Sequence, residues 1–140
     1  MTGPVLIDTG PIVGLIAEAD QYREAALEGF AKLNGPMITC WPVITEAAWL
    51  MRNMPSYSRL LARFLNDQKL QIEHLTKRDL PAIEQLLTRY QDLKLQLADA
   101  CLLQLADRLN LQHIFTFDQR DFNAATTPSG RTLQQLGAAQ

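Results

Sequence analysis

Apolar and polar positions along the chain fall into two alternating kinds of block. The first kind is a short run of adjacent apolar residues: "PVLID" at 4–8, "PMITC" at 36–40, "LQIEHL" at 70–75 and "HIFTFD" at 113–118. Such runs predict short buried strands. The second kind is longer and repeats its apolar positions every three or four residues, which predicts helices. "TGPIVGLIAEA" opens the first helix, with Thr9 as its N-cap and Pro11 in its first turn. "DQYREAALEGFAKLNG" is the second, capped by Asp20 and stopped at Gly35. "WPVITEAAWLMRN", "PSYSRLLARFLND", "TKRDLPAIEQLLTRYQD" (with Thr76 as cap) and "LQLADACLLQLADRLN" are the third to sixth. The tail "TTPSGRTLQQLGAAQ" holds a turn and a short edge strand at 131–136.

Apolar strands that alternate with helices predict an α/β domain whose parallel sheet is covered on both faces, with right-handed crossovers. Ligands of such sheets sit beyond the carboxyl ends of the strands. Asp8 and Asp118 each follow an apolar strand, so both should project at that edge. On neighbouring strands their backbones would lie about 4.8 Å apart, close enough to share an ion.

Composition changes this picture little. A chain of 140 residues suits a single domain over 1–140, and 47% hydrophobic with 20% charged residues is ordinary for a globular protein. No apolar run approaches the roughly 20 residues that span a bilayer, and "MTGPVLID" lacks the features of a signal peptide, so a cytoplasmic location is expected. Cys40 and Cys101 lie in apolar surroundings and read as reduced core residues. His74 and His113 are far apart and near no cysteine, which indicates no zinc site. A net charge of −2 argues against a broad basic surface for nucleic acid. It still allows an acidic metal site beside a local basic rim, for which Arg52, Arg59, Arg63 and Arg120 are candidates; one by one, each reads better as a solvated arginine.

The acidic residues carry the candidate chemistry. On a helical wheel Asp99 lies at the edge of the apolar arc formed by Leu97, Ala98, Cys101, Leu102 and Leu105, while Gln104, Asp107 and Arg108 fall opposite. Alone, Asp99 reads equally well as a first-turn aspartate favoured by the helix dipole. Glu46 has Val43, Trp49 and Leu50 as helical neighbours and alone reads as a surface residue. Asp118 alone starts a turn. Asp121 either caps the short helix that follows or supports a neighbouring ligand, and Thr9 and Thr116 put hydroxyls beside the strand-end aspartates. The set decides: Asp8, Glu46, Asp99 and Asp118 can converge only if a cation offsets their repulsion. Oxygen donors without His or Cys suit a hard ion, Mg²⁺ or Mn²⁺, and such ions favour phosphate chemistry.

With these motifs in place, the chain resembles the PIN-domain nucleases, and most closely the VapC-type toxins of bacterial toxin–antitoxin pairs. The carriers are "VLIDTGPIVGLI", "ITEAAWLMR" and "LQLADACLLQLADRLNLQHIFTFDQRDF", in that order over nearly the whole chain. The resemblance implies a three-layer αβα domain of strand order 3-2-1-4-5 and a metal-dependent endoribonuclease, with tRNA as a candidate substrate. It assigns Asp8, Glu46, Asp99 and Asp118 to a Mg²⁺ or Mn²⁺ site. Asp121 matches a position that is acidic in some members, and Thr9 and Thr116 match hydroxyl positions beside the site. It also implies a homodimer and a small antitoxin protein that lies along a groove near the site. Within the same fold, a solitary RNA-processing nuclease and a non-catalytic protein-binding domain are the alternatives.

Two rivals come from other chemistry. "DTG" is also the triplet of aspartic proteases, but those need a second such loop and an all-β chain, whereas Pro11 and a helical run follow here. A phosphatase with Asp8 as nucleophile expects an Asp two residues later, where Gly10 stands, or a Lys at a strand end, and no Lys follows "HIFTF".

Overall fold

The computed structural model describes residues 2–137. In chain order the elements are β1 (Val5–Ile7), α1 (Thr9–Ile16), α2 (Arg23–Ala31), β2 (Met37–Thr39), α3 (Trp41–Leu50) and α4 (Tyr57–Leu65). Then follow β3 (Leu70–Ile72), α5 (Leu80–Arg89), α6 (Leu97–Arg108), β4 (His113–Phe115), α7 (Gln119–Ala124) and β5 (Gln134–Leu136). The strands form one parallel five-stranded sheet in the order β3-β2-β1-β4-β5. This is the αβα architecture and strand order that the resemblance implied, and the tail does supply the edge strand. β1 lies at the centre, fully buried, with Leu6 in register with Ile38 of β2 and with Ile114 of β4. Its three residues are apolar because both faces are covered.

Helix packing completes the core. α1 packs on α2 and α3, and α6 packs on α3 and α5. Eight of the nine residues from Ala98 to Ala106, all but Gln104, are buried, so α6 is the central helix of its layer. Cys40 and Cys101 are both buried and free, in keeping with reduced core thiols. Among the described residues no helix is long and apolar enough to cross a membrane.

Three boundaries differ from the periodicity, each for a local reason. Thr9 is the first helical residue of α1 rather than its cap, because Asp8 already holds the extended cap conformation and its C=O accepts the Ile12 N–H. α2 starts at Arg23, not at Asp20: the Asp20 carboxylate accepts the Tyr22 N–H and its C=O accepts the Arg23 N–H, so the chain makes a turn first. The helix expected from Thr76 opens as a single 3-10 turn, Lys77–Asp79, before α5. Pro81 has no N–H to give to Lys77, whose carbonyl is instead taken by Leu80. Thr76 does cap this turn, its hydroxyl accepting the Arg78 N–H.

Candidate functional site

The carboxyl ends of β1 and β4 lie side by side, and each delivers an acidic segment to the same edge of the sheet. Asp8 follows β1 directly and is 6% exposed. Its carboxylate is not spent on capping α1. Instead Oδ2 accepts the Thr116 hydroxyl at 2.9 Å, from the segment that follows β4. The same Thr116 oxygen accepts the Asp118 N–H at 2.9 Å. One hydroxyl therefore couples both strand ends. Asp118 continues the chain of contacts: its Oδ1 accepts the Asp121 N–H at 3.2 Å and so caps α7. Asp121 thus lies inside α7 and is not its cap.

The helices bring two more carboxylates. Glu46, on α3, accepts the Thr9 hydroxyl at 2.8 Å. Thr9 is therefore a bridge between α1 and α3. Asp99, in the first turn of α6, is 7% exposed and accepts the Gln96 N–H at 3.3 Å. Asp8, Glu46, Asp99, Asp118 and Asp121 all line one cleft of about 350 Å³, together with Thr9, Gly10 and Gln96. Thr116 is fully buried beneath it. So every acidic residue singled out in the sequence as a candidate ligand lines this one cleft. Sequence reasoning did not find Gln96, Tyr22, Leu50 and Phe117, which also line it. For Tyr22 and Phe117 the only available signal was an aromatic residue at an element end near a candidate carboxylate.

The electrostatics of the cleft are those of acid groups crowded together. Burial pushes Asp99 up to about 7, helped by the charges of Asp8, Asp121 and Glu46 and opposed by the Gln96 N–H. Burial likewise raises Asp8 to about 6 against the hydrogen bonds from the Thr9 N–H and Thr116, with Glu46 and Asp118 adding to the rise. Asp121 is raised by burial and by its neighbour Asp118, and Arg120 works in the other direction. The ion pairs found among the described residues, Arg108–Asp79 and Arg131–Asp107, lie elsewhere. Among the described residues no group of three or more acidic, His or Cys side chains is preassembled to hold a metal ion. The donor set nevertheless suits a hard cation: all oxygen, with two buried carboxylates that resist ionising together.

Comparison with known proteins gives the following. The family model for the PIN domain matches residues 5–126. No curated protein matches the sequence. Among solved structures, VapC20 of Mycobacterium tuberculosis, described as a toxin that cleaves the sarcin–ricin loop, aligns with a TM-score of 0.77 at 17% identity over 88% of this chain and 97% of that one. VapBC2 of Rickettsia felis, bound to a fragment of promoter DNA, aligns with a TM-score of 0.67 at 17% identity over 94% and 98%. A toxin–antitoxin complex of Klebsiella pneumoniae aligns with a TM-score of 0.63 at 18% identity over 86% and 91%. At these identities the solved structures establish likeness of fold.

Proposed function

The chain belongs to the PIN-domain family, and from that premise we propose that it is a toxin-type endoribonuclease that depends on Mg²⁺ or Mn²⁺. One observation carries the reading: five carboxylates from the end of β1, α3, α6 and the segment after β4 line a single cleft, and among the described residues none of its buried members is in an ion pair. Asp8, Glu46, Asp99 and Asp118 would hold the ion, with Asp121 at the margin. When bound, the ion supplies positive charge that polarises the scissile phosphoryl group and lowers the pKa of the attacking water. The chain's own residues do the positioning. Thr116 fixes the Asp8 carboxylate and the Asp118 backbone with one hydroxyl, and Thr9 fixes Glu46. Burial and crowding raise Asp8 to about 6 and Asp99 to about 7, so a bound cation would favour the ionised form of both, most of all of Asp99.

The toxin reading also brings partners. Trp41, Trp49 and Leu97 are each about half exposed and line one groove on α3 and the start of α6. Patches of this kind are rarely left bare, and a second copy of the chain is the occupant in this reading. A small antitoxin protein then holds the enzyme inactive. tRNA is the first substrate to try.

The test is RNA cleavage by the purified protein, stripped with EDTA and then given Mg²⁺ or Mn²⁺. Cleavage should vanish on chelation and return with either ion. Cleavage that survives EDTA, or no cleavage of any RNA under any condition, overturns the reading.

A further inference from the structure

The acidic cleft shares a wall with a second cavity of about 540 Å³, and the wall is aromatic: Tyr22 and Phe117 line both. Their rings stack with centroids 5.1 Å apart and an interplanar angle of 25°. The mounting is rigid. Phe117 sits between Thr116 and Asp118, the two residues whose hydrogen bonds organise the cleft. Its ring meets Phe115 edge-on at 5.8 Å. Gly10 and Gly137 close on it so tightly that a Cβ at either would lie 3.3 Å from the ring. Tyr22 is held by the turn that delays α2: its N–H is taken by Asp20 and its C=O by the Ala26 N–H. Yet 44% of Tyr22 stays exposed. A large ring fixed at this cost and left open has a face to offer.

We propose that Tyr22, backed by Phe117, is a stacking platform for an RNA base next to the scissile phosphate. The proposal rests on the nuclease reading above and adds a recognition device to it. Two arguments favour a base as occupant. A net charge of −2 argues against a broad basic surface for phosphates, and stacking on an exposed ring is a source of affinity for single-stranded RNA that needs no such surface. The second cavity also places Lys32, Glu28 and Gln135 around the space beyond the rings. Lys32 suits a phosphate and Glu28 a base edge, while the Gln135 amide nitrogen is held by the Gln119 carbonyl and Asn123 Oδ1 and leaves its oxygen as acceptor. The base does not slide between the two rings, because they already stack on each other with centroids 5.1 Å apart. It lies on the open face of Tyr22 and points into the second cavity.

The test uses the Asp99→Asn chain, which binds without cutting, and fluorescein-labelled hexanucleotides of uridine, adenosine and cytidine in Mn²⁺, read by anisotropy. Adding Tyr22→Leu should weaken binding roughly 5- to 150-fold, the range of one base–aromatic stack. Tyr22→Phe should restore it. In hexanucleotides with one abasic position, one site should lose a comparable amount in the Asp99→Asn chain and nothing more once Tyr22 is Leu. With otherwise wild-type enzyme, Tyr22→Leu should raise KM and leave kcat alone; this measurement decides if the hexanucleotides bind too weakly. Circular dichroism melting verifies that the variants are folded. Unchanged binding and KM in a chain that still cuts RNA overturn the platform and leave the nuclease standing. The platform is overturned in favour of a protein ligand if Tyr22→Leu releases a co-purified partner while RNA binding is unaltered. A wild-type chain that neither cuts nor binds RNA overturns both.

Discussion

Asp79 and Asp99 are both aspartates in the first turn of a helical segment, and both are buried, at 2% and 7% exposed. They are shifted in opposite directions from the ordinary carboxylate value of 3.8. Burial works against the charge of Asp79, but the Gln104 amide, the Thr76 N–H and the Arg108 guanidinium hold its carboxyl below the usual range. Arg108 reaches it at 3.0 Å. Asp99 has one backbone N–H and three acidic neighbours, and it rises to about 7. The difference teaches how to tell two kinds of buried acid apart. A structural carboxylate is surrounded by donors and a cation. A carboxylate held beside others of its kind is paying a standing electrostatic cost, and such a cost persists at functional sites.

The largest expected effect tests this division in activity. Asp99→Asn keeps the shape of the side chain and removes the charge. RNA cleavage in Mn²⁺ should fall on the order of 10³-fold, as when one preorganised charge-stabilising group is lost, while the melting temperature holds or rises. Asp8→Asn should behave alike. Activity retained by both variants would place Asp99 with Asp79 among the structural acids.

Asp79→Asn is the mirror experiment. It leaves Arg108 half-covered beside a weaker partner, and stability should drop by about 2–3 kcal/mol, or roughly 5–10 °C in melting temperature. Cleavage per folded molecule should stay within about two-fold of wild type, a change worth less than ~0.5 kcal/mol. A loss of cleavage without a loss of stability would break the comparison from the other side.

How far this division was legible in the sequence follows from where the partners lie. The strand-end positions of Asp8 and Asp118 follow from parallel-sheet geometry alone, and β1 does pair with β4. The helical wheel put Asp99 at an apolar edge, and it is buried. Asp79 and Asp99 nevertheless look alike locally, because what separates them is remote. The partners of Asp79, Gln104 and Arg108, are 25 and 29 residues away. Thr9 illustrates the same limit. A hydroxyl beside a helix start signals a cap, and nothing nearby reveals Glu46, 37 residues on. Tyr22 was hidden because an Asp before an apolar-periodic stretch signals a helix start as readily as the turn that Asp20 makes.

pH separates the two acids next. Without metal, the folded chain holds protons on Asp8 and Asp99 up to about pH 6 and 7, whereas the unfolded chain releases them near 3.8. These two groups therefore favour the folded state most below about pH 4, and their contribution is lost as pH rises toward 7. Asp79 runs the other way: its contribution is present above 3.8 and is lost as pH falls through its lowered value. Urea melts in EDTA should show stability falling between pH 4 and 7, with Asp99→Asn recovering about 1–2 kcal/mol at pH 7.5. Added Mn²⁺ should recover a similar amount in wild type and less in Asp99→Asn. A flat profile would mean that the cleft acids are answered by partners, as Asp79 is.

The smallest effect is the most discriminating, because it touches a hydrogen bond and no charge. Thr9→Val removes the 2.8 Å contact to Glu46 and keeps the volume of the side chain. Glu46 is only half-buried, so water replaces the lost donor and stability should change by less than ~0.5 kcal/mol. What is lost is orientation: cleavage should fall about 3- to 10-fold, equivalent to ~1 kcal/mol, with a higher Mn²⁺ requirement. Thr9→Ser should restore both. If Thr9→Val lowers the melting temperature and leaves the metal requirement unchanged, the hydroxyl ties α1 to α3 as Arg108 ties α6 to Asp79. The cleft would then owe its order to structural bonds of the same kind, and the contrast between its acids and Asp79 would rest on Asp8 and Asp99 alone.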